Sequence, residues 1–144
     1  MESVEEHRSD VWTIVVAGGS GRRFAAGAGS VDDTVDGPAD RPAQAKQYET
    51  LAGARVVDWS VRTAATFGAG VVVVVPAADV DRERGALRAV APTPVVVVAG
   101  GATRSASVRA GLEAVPSCAE WVQIHDAARP AASTALFARV AGAL

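Results

Sequence analysis

Five consecutive valines, Val71 to Val75, and four more, Val95 to Val98, constrain this chain more than any other feature. A β-branched run without alternating polar residues has no face to offer to water. It fits a short parallel strand covered on both sides. Val11 to Ala17 (VWTIVVA) has the same character, and Trp121 to His125 (WVQIH) reads as a fourth strand. Helical spacing fills the gaps between them. Val56 to Phe67 carries apolar residues at 57, 61, 64 and 65, with Gly68 as the stop. Asp79 to Val90 is expected as a helix with Asp79 as its N-cap. A third helix, Arg104 to Val115, is expected to turn Val108, Leu112 and Val115 to one face, capped by Thr103 or Ser105. Ser133 can cap a last helix carrying Leu136, Phe137, Val140 and Leu144. This alternation predicts an α/β fold: a doubly wound, mostly parallel, Rossmann-like sheet with helices on both faces. Residues 1–10 read as a polar tail and 11–144 as one domain. Within it, residues 25–45 are poor in large apolar side chains and read as a flexible loop.

Composition narrows the function classes. The formal net charge is -2, so no basic face argues for nucleic acid. The apolar runs are too short to span a bilayer, which needs about 20 residues. The start, MESVEEHRSD, lacks the basic and apolar regions of a secretory signal, and Cys118 is a lone cysteine. A cytoplasmic setting is the expectation. Thirteen arginines stand against a single lysine, Lys46. Ammonium and guanidinium are not interchangeable at tight phosphate sites, so that lysine draws notice.

In a doubly wound sheet, ligands bind beyond the carboxyl ends of the strands. Three chemistry-bearing segments fall there. After the first strand comes AGGSGRR, Ala17 to Arg23. Its glycines allow close approach to a phosphate, and Arg22 and Arg23 can grip phosphate oxygens. A tight turn with two solvated arginines accounts for the same residues. It is neither a GKS/GKT phosphate loop nor a GxGxxG dinucleotide fingerprint. After the third strand comes GGATRSAS, Gly100 to Ser107, offering backbone N–H groups at a helix start and hydroxyls able to read a base edge. A capped helix explains it as well. After the fourth comes HDAARP, where Asp126 can hold magnesium together with substrate oxygens or cap a turn. His125 reads as a packed or hydrogen-bonded residue, and Arg129 as a partner of Asp126 or of a phosphate. AKQY, Ala45 to Tyr48, follows the flexible segment. Lys46 there is a surface charge or a phosphate clamp on a lid.

Taken in order, AGGSGRRF, KQY, VVAGGATRSASVRAGL and HDAARP resemble the 2-C-methyl-D-erythritol 4-phosphate cytidylyltransferase family, from residue 11 to about 144. The resemblance implies transfer of CMP from CTP to a sugar-alcohol phosphate, with release of pyrophosphate, in isoprenoid precursor synthesis. It implies that Ala17, Gly18 and Gly19 line the CTP site, and that Arg23 grips the phosphates with Arg22 nearby. Lys46 would stabilise charge on the α-phosphate. Gly101, Ala102 and Ser107 would surround the cytosine with Arg104 close by, Ala127 would lie near the ribose, and Asp126 would help to hold Mg2+. It also implies a chain truncated after the fourth strand and the following helix. The family's C-terminal half, with its homodimer arm and most ligands of the acceptor phosphate, would lie outside this sequence. A non-catalytic CTP-binding remnant, and a cytidylyltransferase for another sugar or polyol phosphate, are the alternatives.

Overall fold

The computed structural model describes residues 7–18 and 46–143. The expected loop at 25–45 and the residues Gly19, Arg22, Arg23 and Leu144 lie outside them. Four parallel strands form the sheet: β1 (Arg8–Val16), β4 (Gly68–Val75), β5 (Val95–Ala99) and β6 (Trp121–Asp126). Their order is β5-β4-β1-β6. The valine runs lie side by side, Val71 to Val74 opposite Val95 to Val98, while β1 pairs with β4 on one edge and β6 on the other. Val71 through Val75 are all fully buried, as a two-sided strand demands.

Strand β1 begins earlier than its apolar run. Arg8 to Asp10, expected in the polar tail, already belong to the strand. The Arg8 guanidinium makes two bonds to the Asp10 carboxylate, at 2.9 and 2.8 Å, and the Asp10 carbonyl accepts from the Glu120 amide. Polar residues extend the strand because backbone pairing, not burial, holds them.

Helices α1 (Val56–Phe67), α2 (Val80–Arg88) and α4 (Thr134–Ala141) share the core on one face. Helix α3 (Arg104–Glu113) covers the other face, over Ile14 and Val74. Helix α1 buries the expected residues, Val57, Val61, Ala64 and Ala65, completely. Gly68 ends it in extended geometry and starts β4 with no loop between. Thr103 and Ser133 cap α3 and α4, accepting from the Ala106 and Leu136 amides. Between Tyr48 and α1 lies a small hairpin that the apolar pattern does not signal. Strands β2 (Thr50–Leu51) and β3 (Ala54–Arg55) pair antiparallel across Ala52 and Gly53, both at positive φ.

Two further expectations are corrected. Asp79 forms no cap bond; its carboxylate accepts from the Tyr48 hydroxyl at 3.0 Å and pairs with Arg82 at 3.1 Å. Helix α3 does not turn the face of Leu112 inward, and Leu112 is 47% exposed. Its buried residues are Ser107 and Gly111. A Cβ at Gly111 would stand 2.7 Å from Ile14 Cγ2, so the helix sits too close to β1 for a larger side chain. Close approach selects small residues over large apolar ones.

Glu83 of α2 is fully buried and ties three segments together. Both its oxygens accept from Arg55, at 3.0 and 2.8 Å, and one accepts from Arg82 at 2.9 Å. Arg55 also reaches Asp58 at 2.8 Å, which fixes the start of α1. Glu83→Ala leaves the Arg55 head without its buried partner and is expected to cost about 3–5 kcal/mol in urea unfolding. Thr13 offers the opposite case. Its hydroxyl is buried in β1 and has no hydrogen-bond partner in the structure described. Thr13→Val removes that orphan and is expected to stabilise the fold by about 1 kcal/mol in the same assay. A loss of stability would mean that the hydroxyl is satisfied.

Candidate functional site

Strand order sets the position of the site. From β1 the chain runs outward through β4 to β5, then returns on the opposite face through α3 to β6. The reversal opens a crevice at the carboxyl ends of β1 and β6, where doubly wound sheets hold ligands. Backbone bonds continue the sheet just past the strand ends. The Ala17 amide donates to Val74, the Gly100 amide to Val75, and the Ala127 amide to Val16, at 2.7, 2.7 and 3.0 Å. Ala17, Gly100 and Ala127 are therefore rigid floor rather than loose loop. Ser60 of α1 supports it from below, donating to the Ala127 carbonyl at 2.9 Å.

Gly18, Gly100, Gly101 and Ser107 crowd together on this floor. A Cβ at Gly18 would lie 3.4 Å from Ser107 Oγ, and one at Gly101 would collide with Ala106 at 2.4 Å. The Ser107 hydroxyl is buried and accepts from the Gly101 amide at 3.2 Å. It braces the turn that carries Gly101 and the exposed Ala102, so the loop's shape is set before any ligand arrives.

Asp126 ends β6 with its carboxylate half exposed. Arg104, from the first turn of α3, donates to Oδ1 at 3.0 and 3.3 Å. Arg129 approaches Oδ2 at 3.7 Å. Arg104 thus bridges the glycine turn after β5 to the end of β6. His125 turns away from this cluster. Its Nε2 lies 3.2 Å from the Arg129 carbonyl, and its ring packs 5.2 Å from that of Phe137. Burial holds the imidazole below its ordinary range, and because the carbonyl can only accept, Nε2 carries the proton there. That is a structural post, as its sequence position suggests.

Lys46 opens a single 3-10 turn, Lys46–Tyr48, and is exposed. The next two residues are buried. Gln47 donates from Nε2 to the Ala17 carbonyl at 2.8 Å, docking the turn on the end of β1. The Tyr48 hydroxyl donates to Asp79, and the guanidinium carbons of Arg82 and Arg55 lie over its ring at 5.1 and 5.8 Å from the centroid. Burial, with the Asp79 carboxylate adding to it, holds the phenol above its ordinary range and keeps it a donor.

Ala17, Gly18, Lys46, Gly101, Ala102, Arg104, Ser107, Asp126 and Ala127 thus all belong to the carboxyl end of the sheet, its adjoining turns or the start of α3. Gly19, Arg22 and Arg23 lie outside the described residues. Sequence reasoning missed the support: Gln47, Tyr48, Arg55, Ser60, Asp79, Arg82 and Glu83. The one signal for it was the adjacency of Gln47 and Tyr48 to the only lysine. Among the described residues no three His, Cys, Asp or Glu side chains gather as a metal site. No helix among the described residues is long and apolar enough to cross a membrane.

Comparison with known proteins agrees with the fold. The sequence matches the family described as IspD, 2-C-methyl-D-erythritol 4-phosphate cytidylyltransferase, over residues 11–144. It is 41% identical over 140 residues to the bifunctional enzyme IspD/IspF of Nitratidesulfovibrio vulgaris strain DP4, covering 92% of this chain and 32% of that protein. With the protein of the same description from Anaeromyxobacter dehalogenans it shares 45% over 109 residues, 74% of this chain and 28% of the relative. The chain therefore spans about a third of the length of the curated relatives it matches. The fold is similar to that of 4-diphosphocytidyl-2C-methyl-D-erythritol synthase from Anaerococcus prevotii, with TM-score 0.69 and 23% identity, over 94% of this chain and 51% of that one. With the match running from residue 11 to 144, the chain belongs to the 2-C-methyl-D-erythritol 4-phosphate cytidylyltransferase family.

Proposed function

We propose that this chain provides the CTP site of a cytidylyltransferase that transfers CMP to 2-C-methyl-D-erythritol 4-phosphate and releases pyrophosphate. The observation that carries the reading is the meeting of Gly18, the Gly101–Ser107 turn and Asp126 at one end of the sheet, linked by Arg104. The rigid turn at Gly101 and Ala102 presents backbone groups to the cytosine edge, and a site that hydrogen-bonds a specific edge rejects other bases. Ala17, Gly18 and Gly19 line the approach to the phosphates, and Ala127 stands beside the ribose. Arg22, Arg23 and Lys46 meet the phosphate charge. The acceptor phosphate is already a nucleophile, so no covalent enzyme intermediate is required. Catalysis is then alignment together with charge stabilisation.

The donor set suits magnesium on one condition. A single carboxylate, Asp126, is too little for a protein cage but fits an ion that shares its ligands with phosphate oxygens. Held that way, Mg2+ supplies neutralisation of the triphosphate. Arg104 and Arg129 leave the carboxylate as they turn to the phosphates.

Two measurements test the reading. In competition calorimetry on the purified chain, CTP is expected to bind more tightly than UTP or ATP. Equal affinities would mean that only the triphosphate is recognised. Asp126→Asn is expected to abolish the gain in CTP affinity produced by Mg2+, while binding in its absence is retained or tightened because Arg104 and Arg129 lose the carboxylate that competes for them. A surviving gain would remove Asp126 from the metal. Pyrophosphate release assayed with methylerythritol phosphate and with other polyol phosphates then assigns the acceptor or reveals a binding remnant.

A further inference from the structure

The turn bearing Lys46 is one 3-10 turn of three residues, in which the Glu49 amide donates to the Lys46 carbonyl at 3.2 Å. Short turns of this kind owe their position to side-chain anchors. Gln47 provides one, on Ala17. Tyr48 provides the other, and it is joined to a closed polar circuit. The Tyr48 hydroxyl binds Asp79, Asp79 pairs with Arg82, and Arg82 pairs with the buried Glu83. Glu83 pairs with Arg55, and both arginines lie over the Tyr48 ring.

Such a circuit is a poor way to gain stability alone. Buried ion pairs can often be replaced by apolar residues of similar volume at no loss. Its distinctive property is direction, since each bond fixes an angle as well as a distance. A buried leucine at 48 would fill space but would leave the turn free to rock about Gln47. The ring and hydroxyl of Tyr48 fix it at two further points. The residue carried at the exposed end of the turn is Lys46.

We propose that Tyr48 is a positioning residue for Lys46: clasped by Arg55 and Arg82 and tethered to Asp79, it holds the 46–48 turn so that the Lys46 ammonium meets the polyphosphate of the bound nucleotide. The inference rests on the nucleotide reading above. It assigns to the circuit around Glu83 a role in phosphate recognition exerted through the lysine.

A double-mutant cycle on the whole 144-residue chain tests it. Affinities for Mg-CTP and for cytidine are measured calorimetrically for the unsubstituted chain, Lys46→Ala, Tyr48→Leu and the double variant. Tyr48→Leu is expected to weaken CTP binding about tenfold, the worth of one charge-assisted hydrogen bond. Cytidine binding should be unchanged, because the lysine's target is phosphate and the nucleoside has none. In the Lys46→Ala background the same substitution should cost nothing more. Tyr48→Phe, which keeps the ring, should restore most of the CTP affinity. Hydrogen exchange in β4 reports whether each variant is folded, and if Tyr48→Leu is not, Arg82→Gln, which removes one clasp on the ring and the partner of Asp79, takes its place in the cycle. Equal losses in both backgrounds, or parallel losses for cytidine and CTP, would overturn the inference and leave the nucleotide reading intact. No effect of Lys46→Ala on CTP affinity would likewise overturn the inference alone, whereas no CTP binding by the unsubstituted chain would overturn both.

Discussion

From Val11 to Val15, strand β1 has neither a free edge nor a free face. Its residues are buried from both sides, and its backbone is paired with β4 and β6 together. Every polar backbone group in that stretch must be met by a parallel neighbour, since water cannot reach it. This requirement fixes the register of the sheet and with it the height at which each strand ends. Val16 lies opposite both Val74 and Asp126, so Ala17, Val75 and Ala127 emerge at one level. The candidate site is the surface that results. Its glycine turns, its carboxylate and its lysine-bearing turn are brought together by pairing that was settled several residues earlier.

The strands and most helices were legible because burial on two faces leaves an unmistakable mark. Val71 to Val75 can hardly be anything else, and the spacing of Val57, Val61 and Ala64 gave α1 its bounds. The failures share a cause. Helix α3 packs through Ser107 and Gly111, whose small size carries the contact, while the pattern pointed to Leu112. The β2–β3 hairpin turns at Ala52 and Gly53, and an alanine at positive φ is not what turn chemistry leads one to expect. Asp79 stands where a cap belongs, but Tyr48 and Arg82 compete for its carboxylate and win. In each case tertiary contact overrode a local rule.

The site was legible in its motifs and illegible in its support. Gly18, Gly101, Lys46 and Asp126 stand in segments whose order carries meaning. Arg55 and Arg82 are two of thirteen arginines, and nothing in sequence separates them from solvated ones. Glu83 lies mid-helix among charged neighbours, Asp81 to Arg84, where a surface face is the natural reading. Its burial follows from the seating of α1 over β4 and of α2 over the neighbouring β5, a consequence of strand order that local composition cannot express.

Two ion-pair systems flank the crevice, and they differ in kind. The Glu83 system is closed to solvent at its centre, each oxygen is used, and removing a partner exposes a buried charge to an apolar surrounding. It is stiff. The Arg104–Asp126 pair is half exposed, with side-chain accessibilities of 50% and 37%. A pair so placed is worth about 1 kcal/mol or less, because water and salt compete for both ends. It can be exchanged for phosphate at little cost, and the geometry at rest already aims the guanidinium across the crevice. On the nucleotide reading proposed above, a site needs both properties: the turn whose charge would meet a phosphate at a set distance is anchored to the stiff system, and the groups that would trade one partner for another are joined by the weak one.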